Sequence, residues 1–119
     1  MFNLNQYLLD PQNIKTEFQS VAALTASLRQ VRPITCADGL KFSAQASASH
    51  YCAPRNSQGP WETVEIGFPN RSVPEFMEYA EEADKPTDTV YGYVPVEIVE
   101  AVIEAHGGIV SPTPAPCRA

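Results

Sequence analysis

Eleven prolines in 119 residues constrain this chain more than any other feature. Each proline fixes its own φ and removes a backbone donor, so long helices and central strands are interrupted wherever one falls. The chain is therefore expected to build short elements joined by defined turns rather than a helical bundle. Its length suits one domain, and folding at that size buries roughly 65% of the unfolded surface. An apolar content of 44% is ordinary for a chain with a core. The expected organisation is a single domain over residues 1–110 and a disordered tail over 111–119, where three prolines fall with no apolar period.

Between the prolines the hydrophobic period changes several times. Asp10-Pro11 signals a helix start, and Ile14, Phe18, Val21 and Leu28 recur near 3.6 residues, which predicts a helix from about Pro11 to about Ser27. From Leu28 to Cys36 the pattern becomes extended, and Pro33 confines that strand to an edge or delays its start. Asp38-Gly39 is a tight-turn dipeptide, and Leu40, Phe42, Ala44 and Ala46 then alternate with polar residues, so a hairpin is expected here. A polar connection fills about 47–60. Val64, Ile66 and Phe68 alternate as a third strand, closed by Pro69-Asn70. A short acidic helix is expected from Pro74 to about Ala83 with Ser72 as its cap, and a last strand over Thr89 to Val94. Pro95 opens a final helix with Ile98, Val99, Val102 and Ile103 facing inward and Glu97, Glu100 and Glu104 outward. Gly107-Gly108 ends it in a left-handed cap. These elements predict an α+β fold: a small antiparallel sheet of three to four strands, with an N-terminal and a C-terminal helix packed on one face.

Charge is unevenly placed. Residues 1–60 hold five basic and three acidic side chains (+2) and residues 61–119 hold three and eleven (−8), which add to the net −6. The acidic half repels a phosphate backbone, so direct nucleic-acid binding is disfavoured. No apolar run approaches the roughly 20 residues that span a bilayer, and the first ten residues lack the pattern of a secretion signal. Three cysteines, Cys36, Cys52 and Cys117, leave one unpaired under any pairing, which favours reduced thiols in a cytosol. No cofactor is indicated. Gly107-Gly108 follows a helix whereas a phosphate cradle precedes one, and Asp38-Gly39 lacks the acidic spacing of a calcium loop.

His50 and Cys52 form the densest group of reactive types. They define the enzymatic alternative, a small thiol- or metal-dependent hydrolase. Against it, no residue is placed to orient the imidazole, and Cys36 and Cys52 stand sixteen apart without paired-ligand spacing. The many carboxylates fall at helical spacing on expected outer faces, as solvated surface does. No catalytic or metal-binding residue is therefore expected. Two features suit protein binding instead. One is an acidic surface, represented by Glu81 and Glu82 in the band from Glu75 to Asp88 and by Glu97, Glu100 and Glu104 on the last helix. The other is the set Tyr51, Arg55, Trp61, Tyr91 and Tyr93, side-chain types that dominate interface energetics. An exposed edge strand near Pro33 would also permit a homodimer.

The stretch from Ile34 to Gly108 resembles a group of small proteins encoded by bacteriophages and prophages. The resemblance is carried by Cys36-Ala37-Asp38-Gly39, Tyr51-Cys52-Ala53-Pro54-Arg55, Val64-Glu65-Ile66-Gly67-Phe68-Pro69 and Val90-Tyr91-Gly92-Tyr93-Val94-Pro95. It implies a non-enzymatic accessory protein in the cytoplasm of a bacterial host, acting on a protein partner. Small acidic phage proteins of this kind are often inhibitors of host defence or of host enzymes, CRISPR complexes among them, so the partner implied is a host defence or nucleic-acid-processing complex. A virion structural or assembly component is the remaining alternative. No catalytic or binding residue carries over with the resemblance.

Overall fold

A computed structural model of the chain describes residues 2–13, 31–47, 50–56 and 58–110. Its elements are helix α1 (Leu4–Leu9), a 3-10 turn (Pro11–Asn13), strands β1 (Ile34–Thr35), β2 (Lys41–Gln45) and β3 (Thr63–Gly67), a 3-10 helix (Pro74–Tyr79), strand β4 (Val90–Pro95) and helix α2 (Val96–Ala105). The strands form one antiparallel sheet in the order β1-β2-β3-β4, each paired with its neighbour along the chain. The fold is α+β.

The expected hairpin forms around Gly39, whose φ of +98° is open to glycine without penalty. Its N–H donates to Cys36 O at 3.0 Å, Cys36 N–H donates to Leu40 O at 2.7 Å, and Ile34 then lies opposite Phe42. The period-two reading of β2 holds along its length, since Leu40, Phe42, Ala44 and Ala46 are all buried. They share one apolar cluster with Val64 and Ile66 of β3, Val99, Val102 and Ile103 of α2, and Leu4, Tyr7 and Leu8 of α1. Helix α2 ends as expected, with Gly107 and Gly108 at φ +93° and +84°.

Several expectations need correction. The chain is helical before Asp10, not only after it. Asn3 Oδ1 caps α1 by accepting from Gln6 N–H at 3.0 Å, and Leu4, Tyr7 and Leu8 recur at the spacing that buries one helix face. Asp10 closes that helix and then accepts from Gln12 N–H at 3.0 Å, so Asp10-Pro11 opens a 3-10 turn. The rest of the helix expected from Pro11 to Ser27, and the tail from 111 onward, lie outside the described residues. The acidic helix after Pro74 is 3-10 and ends at Tyr79. Val73, not Ser72, occupies its cap position, with no side-chain hydrogen bond. The chain leaves the helical path at Ala80, whose backbone pairs with Tyr91. Phe68 does not continue the inward alternation of β3: its backbone turns to φ +49° and its side chain is 57% exposed.

Neighbouring segments cover the outer strands. Beside β1, Cys36 pairs with Ile109, and Val110 N–H donates to Thr35 O at 2.8 Å. Beside β4, Glu81 N–H donates to Val90 O at 3.0 Å next to the Ala80–Tyr91 bridge. The edge after Pro33, expected to be open to a second copy, is thus paired within the chain from Thr35 to Ala37.

Candidate functional site

The register of β3 and β4 slips by one residue. Val94 lies opposite Val64 and Tyr91 opposite Ile66, so β4 carries an extra residue between the two pairs. Such a bulge re-aims side chains. Tyr91 and Val94 both turn inward, and Tyr93, at φ +57°, turns out to 48% exposure. Tyr51 lies beside it, 40% exposed, with ring centroids 6.0 Å apart. Tyr93 N–H donates to Tyr51 O at 3.0 Å, and Tyr51 N–H donates to Glu65 Oε1 at 2.9 Å. Gly92 permits this approach, because a β-carbon there would stand 3.3 Å from Tyr51 Cβ. The Arg55 guanidinium sits over the Tyr51 ring, 5.5 Å from its centre. Two tyrosines are therefore held in the open by backbone geometry, with an arginine over one of them.

Beside this patch is a cavity of about 280 Å³ lined by Ser43 and Gln45 of β2, Glu65 and Gly67 of β3, Val90 of β4, and by Val31, Pro33, His50 and Phe68. Gln45 is fixed by its own amide, which accepts from Val31 N–H and donates to Val31 O, each at 2.8 Å. His50 Nδ1 is 2.6 Å from Ser47 Oγ. Burial lowers the His50 pKa below its ordinary value, and the nearby Glu65 carboxylate offsets part of that shift.

The remaining candidates are dispersed. Trp61 and Tyr91 are corrections: they are 2% and 0% exposed and belong to the core. Trp61 Nε1–H donates to Asn56 O at 2.9 Å, and the Tyr91 hydroxyl donates to Pro86 O. Residue type alone does not separate a buried aromatic with a satisfied polar tip from an interface aromatic. Glu100 and Glu104 also have internal work. Glu100 Oε2 accepts from Leu4 N–H at 2.9 Å and Glu104 Oε2 from Phe2 N–H at 3.1 Å, tying the N-terminal segment to α2. Glu81, Glu82 and Glu97 are exposed, and Glu82 pairs with Lys85 at 3.6 Å.

His50 and Cys52 do not assemble into an activated thiol. The buried Cys52 thiol donates to Ser47 O at 3.2 Å, and burial raises its pKa, which favours the unreactive protonated form. His50 directs its Nδ1 at the Ser47 hydroxyl instead. Among the described residues no three His, Cys, Asp or Glu side chains come together in a group that could hold a metal ion, and no helix is long and apolar enough to cross a membrane.

The cavity and the outward turn of Phe68 are not evident from the strand alternation in the sequence. Gly92 inside a strand pattern is the signal for the bulge, and Pro69 is the signal that the strand alternation stops before Phe68. Compared with protein-family models, with curated proteins and with solved structures, the chain matches none.

Proposed function

We propose that this chain is a non-enzymatic accessory protein that works by binding another protein through the Tyr51–Tyr93–Arg55 surface. The observation that carries the reading is the positive φ of Tyr93. A bulky residue in the left-handed region costs about 1–2 kcal/mol, and such strain persists where the surrounding structure enforces it, commonly at functional sites. Here the residue on the strained backbone is an exposed tyrosine whose ring lies 6.0 Å from a second one that carries an arginine over it, the residue types that anchor protein interfaces. The resemblance to phage-encoded proteins makes a bacterial host defence complex the first partner to test. The buried free thiols of Cys36 and Cys52 suit a reducing cytoplasm.

The test is affinity capture from bacterial lysate with wild-type chain and with a Tyr51→Ala, Tyr93→Gly double variant. Glycine at 93 keeps the left-handed backbone. A protein retained by the wild type and lost with the variant, at unchanged circular dichroism, is the expected result. Equal capture by both places the interface elsewhere. Salt then separates the two surfaces, because docking led by Glu81, Glu82 and Glu97 weakens steeply with ionic strength and an aromatic contact does not.

A further inference from the structure

The cavity beside the tyrosine patch has a specific chemical character. Of its nine lining residues, Glu65 alone carries a carboxylate, and none is lysine or arginine. Glu65 is half-buried, and one of its oxygens accepts from Tyr51 N–H at 2.9 Å. It forms no ion pair with any of the described residues, whereas Asp38 and Glu82 both do. A partly desolvated carboxylate without a counter-cation is stabilised by one supplied from outside. The walls are hydrocarbon at Val31, Pro33 and Val90, with the exposed Phe68 ring at the rim. At about 280 Å³ the space falls just below the ~300–1,000 Å³ that whole ligands occupy, and it suits a single long side chain.

We infer that this cavity receives a lysine or arginine side chain from the partner protein, with its charged end at the Glu65 carboxylate and its methylene stem along Val31, Pro33 and Val90. The inference rests on the protein-binding reading above and deepens it. Each wall matches one part of such a guest. The stem is apolar and buries against hydrocarbon while the head stays polar. The head finds a carboxylate for a charge-assisted hydrogen bond, in a cavity that Phe68 also lines. The cavity is continuous with the tyrosine patch through a hydrogen bond, since Glu65 Oε1 accepts from Tyr51 N–H at 2.9 Å. The basic residue would then be the partner's anchor, and the two tyrosines its surround.

The probe is N-acetyl-arginine methylamide, titrated into the full-length chain and followed by the amide resonances of Gly67 and Phe68. The neutral norleucine analogue, which keeps the stem and lacks the charge, is the control. Saturable shifts with the arginine probe and none with norleucine are expected. Glu65→Gln keeps an oxygen for Tyr51 N–H and removes only the charge, so it should fold normally and weaken binding by about tenfold or more. Equal binding of norleucine, unchanged binding in Glu65→Gln, or no binding at all overturns the inference. The Tyr51→Ala, Tyr93→Gly variant separates the two levels. If the wild type ignores arginine but this variant loses a captured partner, the cavity proposal fails and the protein-binding reading stands. If arginine binds through Glu65 while capture is indifferent to the tyrosines, the surface reading fails and the cavity stands.

Discussion

Phe68 and Tyr93 both place a bulky side chain on a left-handed backbone, at φ +49° and +57°. Neither recovers the cost by burial, since both are about half exposed. Removing the ring at 68 should therefore cost the fold little and relieve the backbone. Phe68→Gly is expected to stabilise the protein by up to about 1 kcal/mol, the part of the left-handed cost left after the added freedom of glycine in the unfolded chain, while arginine binding weakens. A urea midpoint that falls instead would make the ring a packing residue. Thr63 offers a second residue-scale test. Its hydroxyl is buried with no hydrogen-bond partner among the described residues, and an unsatisfied group of this kind is destabilising. Thr63→Val keeps the β-branched shape and removes the orphan, so the urea midpoint should rise by the equivalent of about 1 kcal/mol.

At the scale of elements, the hairpin turn and the end of α2 are joined by a polar clasp. Asp38 Oδ2 lies 2.6 Å from His106 Nδ1, Arg71 approaches Asp38 Oδ1 at 3.3 Å, and Asp38 N–H donates to His106 O at 3.2 Å. The hydrogen bond to His106, then that from Leu40 N–H, holds the Asp38 carboxyl below its ordinary pKa. A folded value below the unfolded one, about 3.9, gives stability that is present above that pH and is lost as pH falls through the folded value. His50 acts in a higher window. Its burial depresses the folded pKa, so below about 6.5 the unfolded chain takes up a proton that the folded chain resists, and stability again falls with pH. Urea midpoints measured against pH should show both declines. His50→Asn should remove the upper one and Asp38→Asn the lower.

The elements legible in the sequence are those fixed by neighbouring residues. Asp38-Gly39 with the alternation from Leu40 to Ala46 contains the whole hairpin, and the spacing of Val99, Val102 and Ile103 contains α2. Helix α1 was not legible because six residues are too few to hold a helix alone. Its Leu4 N–H donates to Glu100, and Phe2 N–H, just ahead of its cap, to Glu104, each about a hundred residues away. The tyrosine pair was half legible. Tyr51, Arg55 and Tyr93 were candidates by type, but their separation from Trp61 and Tyr91 depends on one extra residue in β4, whose trace in the sequence is Gly92.

For the whole molecule, net charge of −6 and covered strand edges define how a partner can approach. Backbone pairing is occupied beside Thr35 to Ala37 and beside Val90 to Tyr91, so the proposed recognition rests on side chains. The tyrosine patch and the Glu65 cavity adjoin on the side of β3 that Glu65 faces, and on the proposed reading the acidic band of residues 75–88 supplies only general attraction. Amide hydrogen exchange of the chain, free and bound to its captured partner, tests this arrangement most directly. Slowed exchange confined to residues 31–34, 50–55, 65–68 and 90–94 is the expected footprint. Protection limited to residues 75–88 or to α2, with the tyrosine segments unchanged, would contradict it.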